Sequence, residues 1–79
     1  MSSNETRARI RTLLAVVRRE GGTWTTRRAQ EVYRPLGIVQ RGTARRDLAL
    51  LAKRGHLVEV PDEHDTAYRV NQAGGGANA

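Results

Sequence analysis

The chain contains no cysteine and no phenylalanine, and only one tryptophan, two tyrosines and two prolines in 79 residues. Without cysteine, neither a disulfide nor a thiolate zinc site can stiffen a small domain, and the absence fits a cytoplasmic protein. Without phenylalanine, and with hydrophobic residues at 38%, the core must be small. A single domain of this length folds with a margin of about 3–5 kcal/mol. Long apolar runs are missing too. The longest, residues 13–17 and 48–52, fall far short of a bilayer span. Met1-Ser2-Ser3-Asn4-Glu5 is followed by Arg7, Arg9 and Arg11 rather than by an apolar segment, so no secretory signal is expected.

Lysine is nearly absent as well. Lys53 is the single one, and every other basic residue is arginine. Fourteen basic residues against eight acidic ones give a net charge of +6 and a pI of about 11.3. A balance this basic points to polyanionic partners: DNA, RNA or an anionic membrane surface. The arginine bias fits such a function and equally fits a GC-rich genome.

Ile10, Leu13, Leu14 and Val17 recur at i, i+3, i+4 and i+7, which predicts an amphipathic helix over residues 5–20, capped by Asn4 and ended by Gly21-Gly22. Residues 1–4 are expected to fray. Arg7, Arg11 and Arg18 flank the apolar seam; Arg7 and Arg11 are candidate phosphate contacts, although an exposed helix flank explains them as simply. Thr23-Trp24-Thr25 is a short β-prone stretch. Trp24 reads as a buried anchor rather than a platform for a base. A second helix follows from Thr26 to Tyr33 or Arg34, with Ala29, Val32 and Tyr33 inward, and Pro35 must end or distort it. Leu36-Gly37-Ile38-Val39 is expected to turn with its apolar side chains tucked beneath it.

The stretch from Gln40 to Gly55 predicts a third helix. At about 100° per residue, Ala44, Leu48 and Leu51 share one side, while Gly42, Arg46, Ala49 and Lys53 lie opposite, with Thr43 and Arg45 at the flanks. The buried side is apolar and the outward side is small and cationic. Small residues let a helix approach a surface closely, and arginine offers a planar fork of donors suited to guanine edges or phosphates. Lys53 and Arg54 suit a helix C-terminus, and Gly55 is its natural stop. Residues 56–60 and 66–70 then read as two strands of a hairpin joined by a polar turn, which Thr23-Trp24-Thr25 can extend to three strands. A Gly-rich tail, residues 73–79, ends the sequence.

The order helix, short strand, helix, helix, strand, strand resembles the winged helix-turn-helix family over residues 5–71. Thr43-Ala44-Arg45-Arg46-Asp47-Leu48-Ala49-Leu50-Leu51, continuing to Gly55-His56-Leu57, resembles the recognition helix of DeoR-type regulators. That resemblance implies that the third helix enters the major groove N-terminal end first, and that the hairpin wing approaches the neighbouring backbone. It also implies that Thr43, Arg45 and Arg46 face DNA, that Ala44, Leu48, Leu51 and Leu57 are core, and that Asp47 is structural, pairing with or hydrogen-bonding an arginine. The chain departs from the family pattern at Tyr33 and Pro35, in a Gly37-to-Thr43 spacing one residue longer, and in an acidic wing tip of Asp62, Glu63 and Asp65.

Asp62-Glu63-His64-Asp65 is the one cluster with catalytic or metal-binding residue types. Nothing else converges on it, no Gly-rich phosphate loop exists, and a solvated turn is the plain explanation. A protein-interaction module is the stronger rival, since an acidic wing and Leu50 could form a docking surface. RNA binding lacks stacking aromatics beyond Trp24, Tyr33 and Tyr68, which the core explains.

The sequence therefore predicts a mainly α fold with small β content, a winged helix-turn-helix of three helices plus a C-terminal β-hairpin wing over residues 5–72. Its expected function is sequence-specific binding of double-stranded DNA as a small transcriptional regulator, with a plasmid, phage or recombination accessory factor as an alternative. The candidate DNA contacts are Arg41, Thr43, Arg45, Arg46, Lys53 and Arg69, with Arg7 and Arg11 on the first helix. No enzyme activity, metal or cofactor is expected. Any sensing falls to a homodimer or a protein partner.

Overall fold

The structure, a computed structural model, describes residues 3–61 and 66–71. The elements run α1 (Ser3–Glu20), β1 (Thr23–Thr25), α2 (Thr26–Tyr33), a 3-10 turn (Arg34–Leu36), α3 (Arg41–Lys53), β2 (Leu57–Val60) and β3 (Ala67–Val70). This is a mainly helical fold with a small antiparallel sheet, in the element order of a winged helix. The strands lie in the order β1-β3-β2, so the hairpin's second strand is central. Trp24 faces Tyr68 and Leu57 faces Val70 across the ladders. No helix among the described residues is long and apolar enough to cross a membrane.

The core forms where three helical stripes meet the sheet. Leu13 and Val17 of α1, Ala29 and Tyr33 of α2, and Ala44, Leu48 and Leu51 of α3 close over Trp24, Leu57 and Tyr68. Trp24 is wholly buried, and its indole N–H donates to the Gly21 carbonyl at 3.0 Å. The Arg28 guanidinium lies 3.9 Å from the centre of the Trp24 ring and donates to the carbonyls of Gly21 and Thr23. One cation–π stack and two hydrogen bonds thus tie the end of α1 to β1 and α2.

The helix ends explain the chain's course. Thr25 caps α2 by accepting from the Arg28 backbone N–H at 3.2 Å. Pro35 tightens the exit of α2 into the 3-10 turn, and Gly37 then takes a left-handed φ of 80°. The Gly37 N–H reaches the Arg34 carbonyl and the Ile38 N–H reaches Tyr33, the paired bonds of a Schellman ending. Gly55, at φ 89°, repeats the device after α3, with its own N–H on Ala52 and that of His56 on Leu51.

Three expectations need correction. Helix α1 begins at Ser3, so Asn4 lies inside it rather than capping it; the polar first turn carries Glu5, which suits the positive end of the helix dipole. Leu14 and Val32 are half-buried, because they sit at the edges of stripes whose centres are Ile10, Leu13, Ala29 and Tyr33. Leu36 and Val39 are not tucked in but exposed, at 51% and 71%. The 3-10 turn and left-handed Gly37 swing that segment outward, and only Ile38 folds back to half-burial. The acidic wing tip, the metal-type cluster at Asp62-Glu63-His64-Asp65 and the Gly-rich tail lie outside the described residues.

Candidate nucleic-acid interface

Helix α3 is held by one buried carboxylate. Asp47 is 1% exposed, a position a charge occupies only when paired and hydrogen-bonded. Arg9 of α1 donates from Nε to Oδ2 at 2.6 Å and from Nη2 to Oδ1 at 3.0 Å, and the Tyr33 hydroxyl of α2 donates to Oδ2 at 2.6 Å. The fork of Arg9 and the phenol of Tyr33 therefore pin α3 to both other helices through one side chain. Hydrogen bonding to Asp47 holds Arg9 above its ordinary pKa against the opposing effect of burial. Burial, then the hydrogen bond to Asp47 and its charge, push the Tyr33 phenol well above its ordinary value.

With Asp47, Ala44, Leu48 and Leu51 turned inward, α3 presents the opposite face to solvent: Gly42, Arg45, Arg46, Ala49 and Lys53 are all exposed. Arg41 is exposed at the first position and Thr43 is half-buried at the flank. The N-terminus of α3 is electrostatically unusual. Gln40 makes no side-chain cap, and the first turn carries no acid. Arg41 stands in the first turn, where the dipole already concentrates positive potential, and Arg45 and Arg46 follow in the second. Among the described residues, Arg45 and Arg46 form no ion pair. A Cβ added at Gly42 would meet nothing within 4 Å, so the N-terminal end of this face is open.

The remaining candidates fall elsewhere. Arg69 sits on central strand β3, between Thr23 and Val58 of its neighbours, on the sheet face away from Trp24 and Tyr68. Arg7 and Arg11 line a groove between α1 and the C-terminal half of α3, in company with Arg54 rather than Arg45 and Arg46. Arg18, grouped with them by sequence, reaches the His56 ring at 3.4 Å.

Two residues near α3 escape a sequence reading. Arg9 was hidden among exposed arginines; its one signal is its place four residues before Leu13, beside the apolar seam. Val39, expected beneath the turn, stands exposed just before α3. Comparison with known proteins finds no matching family model, curated protein or solved structure. The functional reading rests on the chemistry of this surface.

Proposed function

We propose that this chain is a winged-helix DNA-binding protein of DeoR-like character, a small regulator that reads the major groove with α3. The observation that supports it is the exposed face of α3: small residues Gly42 and Ala49 alternate with Arg45, Arg46 and Lys53 along it, and its N-terminus has no side-chain cap and no acid in the first turn. The small side chains permit close approach, and the arginines supply bidentate donors for guanine. Phosphates would relieve the local accumulation of positive charge. Exposed Val39 adds an apolar contact suited to a thymine methyl group at the mouth of the groove. The reading needs nothing from Arg7, Arg11 or Arg69.

Binding-site selection on the wild-type chain and on Arg46→Ala tests this. The wild type should recover a defined site. Arg46→Ala, which removes an exposed side chain, should relax preference at one position by about 1–3 kcal/mol, the worth of a bidentate arginine–guanine pair. Recovery of the same site at the same stringency by both proteins, or no enriched site, would overturn the reading.

A further inference from the structure

We propose that the groove between α1 and the C-terminal half of α3 is a docking site for an acidic amphipathic peptide helix of a partner protein. The groove encloses about 500 Å³. Its floor is apolar: Ile10 and Leu14 from α1, Leu50 and Leu51 from α3. Ile10 and Leu51 belong to the core, whereas Leu14 and Leu50 are only half-covered and face the opening from opposite walls. The rim is cationic, with Arg7 and Arg11 exposed on one side and Arg54 on the other.

Charge decides the class of occupant. Among the described residues, no carboxylate lines the groove and Arg7, Arg11 and Arg54 enter no ion pair. Asp47, the one acid of α3, is turned inward and taken by Arg9. Three converging cations over an apolar floor complement a helix that places leucine-like side chains one turn apart with carboxylates flanking them, the helix-in-groove mode of recognition. The floor also separates this site from a phosphate-binding one, which needs no apolar base. On α3, Leu50 lies one turn after Arg46, and Arg54 follows at the C-cap one turn later, so the groove adjoins the C-terminal end of the proposed DNA face. A second copy docking the same groove symmetrically would set arginine against arginine.

The test titrates the isotope-labelled full chain with a short capped peptide rich in glutamate, carrying two leucines at i and i+4. Two control peptides replace the leucines by serine or the glutamates by lysine. The expected result is saturable amide shifts clustered between residues 6 and 14 and between 50 and 56. Both controls, and the exposed-site variant Arg11→Glu, should weaken binding about tenfold or more. Leu50→Ser gives a second, uncharged test of the floor. No saturable binding overturns the proposal. So does binding indifferent to the leucines, or shifts centred on residues 41–49, which would mark general attraction to a basic protein. The groove is instead a phosphate surface if Arg11→Glu weakens duplex DNA while leaving the peptide unaffected. It is a self-association surface if the same amides shift with protein concentration alone and the sedimenting mass doubles.

Discussion

Asp47 shows how one side chain sets the geometry of a small protein. A carboxylate removed from water is tolerated because three donors meet it, two from Arg9 and one from Tyr33. Removing one partner strands the charge. Arg9→Ala should cost about 3 kcal/mol, the low end for breaking a buried pair, because the Arg9 side chain keeps 20% of its surface in water. Urea denaturation checks this, and a double-mutant cycle with Asp47→Asn isolates the coupling. Tyr33 adds a pH dependence. Its folded pKa lies above the ordinary 10.0, so the folded state holds the proton more tightly than the unfolded chain. The resulting stability is complete below about pH 10 and is lost as pH rises beyond it through the folded value. Thermal melts between neutral pH and strong alkali should decline steeply above about pH 10 in the wild type. Tyr33→Phe should be less stable at neutral pH, having lost a donor to Asp47, and should show a shallower alkaline decline.

At the scale of elements, the joint between α2 and α3 carries the positioning. It is built by Pro35, which ends α2 in a 3-10 turn, and by Gly37, whose left-handed backbone closes the Schellman bonds. No side chain crowds Gly37, so substitution there tests backbone conformation alone. Gly37→Ala should cost about 1–2 kcal/mol, the penalty of a left-handed conformation for an L-residue. The melting temperature should fall by about 4–8 °C per kcal/mol in a domain of this size, as scanning calorimetry can measure. An unchanged melting temperature would show that the turn relaxes to another geometry. Helix α3 itself carries the opposite tension. Its buried face follows core packing, whereas its N-terminus concentrates cations without a cap, local stability yielded to a surface suited to anions.

For the whole molecule, the net charge of +6 governs how the proposed DNA complex responds to salt. Neutralising about 4–6 phosphates should give a slope of log K against log salt of about −4 to −5. Fluorescence anisotropy on a duplex across a salt series measures it. Arg45→Ala should lower the magnitude by about one if Arg45 meets a phosphate, and should leave it nearly unchanged if Arg45 reads a base edge. A salt-insensitive interaction, or none at low salt, would count against the DNA reading.

Local patterns by themselves determined the elements. Apolar spacing marked α1 and α3, Pro35 and Gly55 marked helix ends, and β-prone runs marked three strands, because each signal acts within a few residues of chain. The outward face of α3 was legible for the same reason: helical rotation alone separates Gly42, Arg46, Ala49 and Lys53 from Ala44, Leu48 and Leu51. Only the tertiary structure decided which neighbours those faces meet. Asp47 could be read as structural, but Arg9 lies 38 residues away and reaches it only because α1 crosses α3. Leu14, Val32, Leu36 and Val39 are as hydrophobic as the residues that are buried. Leu14 and Val32 stay half in water because a core this small, without phenylalanine, closes over the centres of its stripes and leaves their edges uncovered, and Leu36 and Val39 are exposed because the turn at Gly37 carries them outward.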